Sequence, residues 1–320
     1  VFIDGALIGT FFPQDGLFWP NKMLRGETSE WLNWYEGMRG RTDRVIRTRF
    51  ATIAERIGPH SRLAEAVRYS MELPGKRFRP VLTLECCRVC GGAEERAVAA
   101  AMALECIHTF SLIHDDLPAM DDDELRRGKP CNHKIFGEAG AILAGDWLAV
   151  HPFALLASEY SPELAGALVR TLAVGTLAMI EGQAADVEAE QRPPDARLLE
   201  YIHLHKTARL IQTACRMGGL CAGASEAALE ALGCYGRRLG LAFQITDDLL
   251  DATGSTDALG KRAGKDAVAG KQTYPAAHGI EASRAAARRE YLAACEALEI
   301  FGPAADRLRQ LAEYVITRDR

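Results

Sequence analysis

The chain has 320 residues, 48% of them hydrophobic and 25% charged, and that balance excludes an intrinsically disordered chain with too little apolar surface to fold on. Its 38 Lys and Arg against 43 Asp and Glu leave a net charge of −5, which argues against a general nucleic-acid binder, whose surface must be basic. Length alone allows either two domains or one large helical one.

In chain order, residues 1–28 read as an extension outside the fold. Phe2, Phe11, Phe12, Phe18 and Trp19 stand there among Gly and Pro without a period. The expectation is a loose tail rather than an aromatic flap, and, with no basic region ahead of the apolar start, not a signal peptide. The folded domain is expected over 29–320. Thr28 or Ser29 is placed to cap a helix from about Glu30 into the fifties, with Trp31, Trp34, Tyr35 and Met38 on its core face. Further helices are predicted at about 61–71, 78–90, 94–117, 139–157, 162–188, 195–221, 225–252, 274–298 and 303–317. Ala, Leu, Glu and Arg fill them, and no segment alternates convincingly as a strand. The pattern is all-α: a large single-domain bundle of about ten helices.

No apolar run is expected to reach the ~18 residues a membrane span requires, since Asp146 and His151 interrupt the nearest, Ala139–Ser158. Of the nine cysteines, most lie inside apolar helical stretches and only Cys87 and Cys90 form a CxxC. They read as buried thiols of a reducing compartment rather than zinc ligands, so a cytoplasmic location is expected.

Two acid clusters each end an apolar helix: Asp115-Asp116 with Asp121, Asp122 and Asp123, and Asp247-Asp248 with Asp251. Like charges at helical spacing repel, and acids near a helix C-terminus meet the unfavourable end of its dipole, so both clusters need a cation. Asp247 and Asp251 are four apart and share one face. Pro118 breaks the first helix, so Asp121 must return from the turn beyond. Oxygen ligands without His or Cys suit Mg²⁺, which keeps waters and bridges to phosphates.

Basic groups accompany these clusters. Lys76 and Arg79 stand beside Gly75 at a helix start, where backbone N–H groups also favour anions. Arg126 and Arg127 follow the first cluster, Lys206-Thr207 lie on another helix, and the polar stretch Thr253–Thr273 carries Lys261 and Lys271 after glycines. That stretch is not a Walker A loop: its glycine spacing is too short, Asp266 stands where Ser or Thr is needed, and no strand precedes it. It reads as a lid bringing ammonium groups onto phosphate. Together the acidic and basic groups specify a site for two phosphorylated ligands.

These motifs resemble the trans-isoprenyl diphosphate synthases, most closely the bacterial-type farnesyl diphosphate synthases. The likeness spans roughly residues 30–320 and rests on GKRFRP at 75–80, LECIHTFSLIHDDLPAMDDDELRRGKP at 104–130, HKT at 205–207, FQITDDLLD at 243–251 and GKRAGKDAVAGKQTYP at 260–275. It says nothing of residues 1–28. It implies helices around a central cavity, a homodimer, and Mg²⁺-dependent head-to-tail condensation of isopentenyl diphosphate with dimethylallyl and geranyl diphosphate. By position, it implies that Asp115, Asp116, Asp121, Asp247, Asp248 and Asp251 hold three Mg²⁺ ions. Arg126, Lys206, Lys261 and Lys271 would contact the allylic diphosphate, with Thr207 and Gln244 along the path of the cation. Gly75, Lys76, Arg79, His108 and Arg127 would bind isopentenyl diphosphate. His114 is left structural, and Asp122, Asp123 and Glu124 behind the ligands or in solvent.

Phe110 and Ser111 lie roughly 6–7.5 Å deeper along the helix than Asp115 and would form the cavity floor. A large ring there, with the Pro118-Ala119 insertion, implies a farnesyl product; a geranylgeranyl product is the alternative. A class I terpene cyclase would lack GKRFRP and the second aspartate cluster, and a non-catalytic partner subunit would have lost its acid clusters.

Overall fold

Runs of Ala, Leu and Glu become helix here until a cap, a glycine or a proline stops them. The computed structural model describes residues 27–58, 61–189, 193, 195–253 and 272–318, with short antiparallel strand pairs ahead of them, Phe2–Ile3 with Ala6–Leu7 and Gly9–Phe11 with Phe18–Pro20. The expected lid lies almost wholly outside the described residues, and so do Lys261 and Lys271.

The helices are α1 (Glu27–Ile57), α2 (Arg62–Glu72), α3 (Phe78–Val89), α4 (Val98–Asp115), α5 (Asn132–Glu159), α6 (Pro162–Ala189), α7 (Ala196–Ile202), α8 (Arg209–Ala222), α9 (Glu226–Thr253), α10 (Tyr274–His278), α11 (Ile280–Ala297) and α12 (Asp306–Thr317). Ser61, Asp195 and Thr273 cap α2, α7 and α10 by accepting from backbone N–H groups of the first turn. Gly223, at φ 75°, closes α8.

Four details depart from the periodicity. α1 begins at Glu27, ahead of the predicted cap. The predicted helix 195–221 is α7 and α8 joined by a π-helical turn, His203–Ala208, because hydrophobic spacing does not register one extra residue per turn. Gly279, at φ 82°, parts α10 from α11. Leu125–Arg126 and Lys129–Pro130 form a hairpin around Arg127 and Gly128, both at positive φ, a tight turn too short for an alternation pattern to reveal.

α4 is apolar on nearly every side, and such a helix belongs in the interior. It packs on α3, α5 and α8, while α8 and α11 pack on α9. Leu104, Ile107, Leu168, Leu210 and Tyr235 fill the space between, and the Tyr235 hydroxyl donates to the Leu308 carbonyl at 2.8 Å. Trp31 stacks on Tyr35, centroids 5.4 Å apart, and both meet Tyr314 of α12.

The expectation that no segment reaches membrane-span character needs correction. Glu94–Asp115, α5 and α6 are long and apolar enough by length and composition to cross a membrane, because two isolated charges do not lower the mean hydropathy of an 18-residue window enough. The first is 72% buried within the protein; α5 and α6 are only 33% and 39% buried, and present an apolar outer face.

α6 meets the π turn at Gly182, where a Cβ atom would stand 2.1 Å from the Lys206 backbone nitrogen. Gly182→Ala is therefore expected to lower stability by about 1–3 kcal/mol through forced displacement of the turn. An unchanged denaturant midpoint would show that the turn yields freely.

Candidate active site

A cavity of about 1200 Å³ opens between the C-terminal halves of α4 and α9, the start of α3, α6 and the π turn. Asp115 ends α4 on its wall. The chain then turns at Pro118, and the Asp121 amide donates to the Asp115 carbonyl at 2.8 Å, which brings Asp121 back beside Asp115 on the same wall. α9 supplies Asp247. Burial pushes the Asp115 carboxyl up to about 6, with Lys206 pulling against the shift and Asp121 adding to it.

The remaining predicted metal ligands lie elsewhere. Asp116 is 3% exposed and accepts from Arg126, with Nε at 2.9 Å and Nη2 closer still. Asp248 is 4% exposed. It accepts from Gln244 Nε2 at 3.0 Å and the Tyr274 amide at 2.8 Å, and His203 Nε2 lies 3.1 Å away. Asp251 is half-buried one turn past Asp247, outside the cavity lining. A carboxylate whose neighbour faces a cavity must turn roughly 100° away on a helix, so adjacent acids took protein donors instead.

Basic groups share the same cavity. Gly75, Lys76, Arg79, His108 and Arg127 all line the cavity, as do Arg126, Lys206, Thr207 and Gln244. The Tyr35 hydroxyl donates to the Lys76 carbonyl at 2.7 Å. A Cβ on Gly75 would fall 2.3 Å from Arg127 Nη1, so only glycine lets that guanidinium lie across the loop. Burial lowers the Arg79 pKa to about 10, Glu105 opposing and Arg127 adding; its Nε is buried without an acceptor. Burial, and after it Arg77 and Arg126, lowers Arg127 too, against the pull of Glu105. The same burial, reinforced by Arg79 and Arg127, holds His108 well below the usual imidazole range, so it faces the cavity as a neutral ring. Crowded, under-bonded cations of this kind are relieved by a bound anion.

Lys206 sits on the π turn with Nζ 2.5 Å from Asp186 Oδ2. The Thr207 hydroxyl donates to Gln244 Oε1 at 2.8 Å. Asp186 itself, with Gln183 of the same helix face, escaped sequence reasoning; the Gly182-Gln183 to Asp186 spacing toward the end of α6 was the available signal. Gln183 lines the cavity and its side-chain amide is buried without a partner. His114 also lines the cavity, its Nε2 3.1 Å from the Ile142 carbonyl. Phe110 lies edge-on to the His114 ring at 5.8 Å and, with Ser111, borders the cavity.

Among the described residues no three Asp, Glu, His or Cys groups stand close enough to hold an ion by themselves. The donor set still fits Mg²⁺, which takes one or two carboxylates and completes its shell with water and phosphate oxygens. The desolvated Asp115 carboxyl is one such oxygen donor.

Residues 60–300 match the polyprenyl synthetase family. The chain is 46% identical over 268 residues to geranylgeranyl pyrophosphate synthase 9, chloroplastic, of Arabidopsis thaliana, covering 80% of this chain and 74% of that one. Among solved structures it is similar to an apo FPP/GFPP synthase of Zymomonas mobilis (TM-score 0.78, 34% identity, 90% and 99% of the two chains). It is also similar to the geranylgeranyl pyrophosphate synthetase of Pyrococcus horikoshii (TM-score 0.80, 31% identity, 89% and 99%).

The raised Asp115 pKa has a consequence for the metal-free protein. The folded state holds that proton more tightly than the unfolded one, so the penalty is absent below the ordinary value of 3.8, grows from there and is complete above about 6. In chelator at pH 8, Asp115→Asn is expected to be more stable than the parent by about 3 kcal/mol. The gain should disappear below pH 4; a constant difference across this range would place its cause elsewhere.

Proposed function

The chain belongs to the polyprenyl synthetase family, and on that premise we propose that it makes geranylgeranyl diphosphate by Mg²⁺-dependent head-to-tail prenyl transfer. The observation that carries the chemistry is that Asp115, Asp121 and Asp247 line the same cavity as Lys76, Arg79 and Arg127. The product assignment draws on the plant relative, which bears that product's name.

In this reading the allylic C–O bond breaks with its electron pair leaving on diphosphate. The double bond of isopentenyl diphosphate forms the new C–C bond, and the proton lost from the adduct goes to the departing diphosphate. Mg²⁺, when bound, supplies Lewis-acid neutralisation of that leaving group. Asp115, Asp121 and Asp247 would hold it. Lys206 adds a fixed ammonium near Asp115, kept in place by Asp186. Arg79, Arg127 and Lys76 bind the second diphosphate, and neutral His108 offers it a hydrogen bond without adding charge. Thr207, with its proton committed to Gln244, turns oxygen lone pairs toward the developing cation.

A farnesyl product is the second reading, and Phe110 favours it. Cys106 and Met102, one and two turns deeper on the same face of α4, border a separate space of about 380 Å³. Phe110 stands ahead of that space. With dimethylallyl and isopentenyl diphosphates, geranylgeraniol is the expected main alcohol after dephosphorylation, read by mass spectrometry. Farnesol would establish Phe110 as a closed floor, and no prenyl alcohol would remove the reading. In either case Phe110→Ala is expected to shift the products toward longer chains; an unchanged mixture would take the floor role from Phe110.

The apolar outer face of α5 and α6, with Val150 and Val174 each 67% exposed and Leu143 and Leu177 beside them, suits a second copy of the chain. Leu177→Asp is expected to halve the sedimenting mass. A parent that sediments as a monomer, or a dimer untouched by the substitution, would rule this face out.

A further inference from the structure

We propose that Arg318 is a built-in counter-cation of the second acid cluster: its guanidinium neutralises Asp247 in the metal-free protein and competes with a divalent ion for that carboxylate. The proposal rests on the reading of Asp247 as a metal-holding group.

Arg318 follows α12 in extended backbone and its amide donates to the Tyr314 carbonyl at 3.0 Å. Its side chain is 2% exposed and Nη2 lies 2.5 Å from Asp247 Oδ1, whereas the Asp247 side chain is 42% exposed. The pair is thus lopsided: the cation is enclosed in the wall and the carboxylate faces the cavity. The guanidinium carbon stands 4.0 Å over the Phe243 ring, and Nη2 reaches the Phe243 carbonyl at 3.3 Å. Among the described residues, α9 thus supplies the guanidinium with a carboxylate, a ring and a carbonyl.

Two features make this contact exchangeable rather than a fixed strut. Arg318 Nε is buried without an acceptor, an unmet donor that weakens the hold of the site on the group. By contrast, Arg77 spends Nε, Nη1 and Nη2 on two carboxylates and two carbonyls. Second, a divalent ion bound to Asp247 would stand within a few ångströms of the guanidinium, where like charges repel in a poorly solvated wall. The ion must push the guanidinium aside or bind against its charge. Either way Arg318 offsets charge on Asp247 when no metal is bound, and a metal arriving with a diphosphate, whose own negative charge offsets Arg318, is favoured over a metal arriving alone.

The test is binding of Mn²⁺ alone, read from the free-ion electron paramagnetic resonance signal so that no turnover is needed, and repeated with inorganic diphosphate, where the effect of Arg318 should shrink. Arg318→Met keeps the contact with Phe243 and removes the charge; it is expected to tighten the Asp247-dependent Mn²⁺ site on the order of tenfold. Arg318→Lys keeps the charge and should bind Mn²⁺ as the parent does. In an Asp247→Asn background, where that ion is lost, Arg318→Met should leave the remaining binding unaltered. Should Arg318→Met fail to fold, Arg318→Gln removes the same charge with a polar side chain. Weaker or unchanged binding in the uncharged variants, or an effect that persists without Asp247, overturns the counter-cation role. A parent with no Asp247-dependent Mn²⁺ site overturns the metal reading itself, and the two failures are told apart by the parent titration.

Discussion

The charged walls depend on one buried guanidinium. Arg77 donates to Asp43 of α1 at 2.7 Å, to Glu105 of α4 at 2.5 Å, and to the Met71 and Leu73 carbonyls at the end of α2 at 2.9 and 2.7 Å. Burial alone would lower its pKa, but Glu105 and Asp43 reverse this and hold it above the ordinary value. These bonds sustain a left-handed backbone at Arg77, φ 49°, which a non-glycine residue adopts only when its surroundings over-determine it. The helix start is thereby fixed against three others, and Lys76 and Arg79, one residue before and two after Arg77, border the cavity with it. An ion pair of this kind contributes more to placement than to stability, since its desolvation consumes much of the attraction.

The same economy recurs around the cavity. Several charges around the cavity have an opposite partner: Arg77 with Glu105, Asp116 with Arg126, Lys206 with Asp186 and Asp247 with Arg318. Three groups that front the cavity feel their burial most, Asp115 shifted upward by it and Arg79 and Arg127 shifted downward. Each wall is strained by its own desolvation and relieved by ligands of the other sign. That is the preorganisation charge-separating chemistry needs, because the dipoles and charges are aimed before the substrates arrive.

The all-α fold was legible because amphipathic spacing and alanine content act locally, and the acid and basic clusters because their charge conflicts with helix propensity. What remained hidden depended on contacts distant in sequence. Nothing in Asp115-Asp116 or Asp247-Asp248 says which carboxylate of each pair faces the cavity; that is decided by where Arg126, His203 and Tyr274 come to lie. Gln183 and Asp186 were overlooked because one glutamine and one aspartate in a long apolar helix resemble a solvated stripe until α6 is seen against the π turn. The π turn itself has no hydrophobic signature. The farnesyl expectation came from the Phe110 ring with the Pro118-Ala119 insertion, whereas the plant relative's name is that of the geranylgeranyl alternative.

α4 keeps two jobs apart on one rigid rod. Its last residue, Asp115, meets the charged groups, while Phe110 lines the cavity more than a turn below, where the proposed function puts the hydrocarbon tail. A substitution at the lower position leaves every charge on the upper one where it was. Such a scaffold can drift between products by single, electrically silent changes without passing through an inactive intermediate. Similar folds whose names specify different prenyl products are the record that an architecture of this kind would leave behind it.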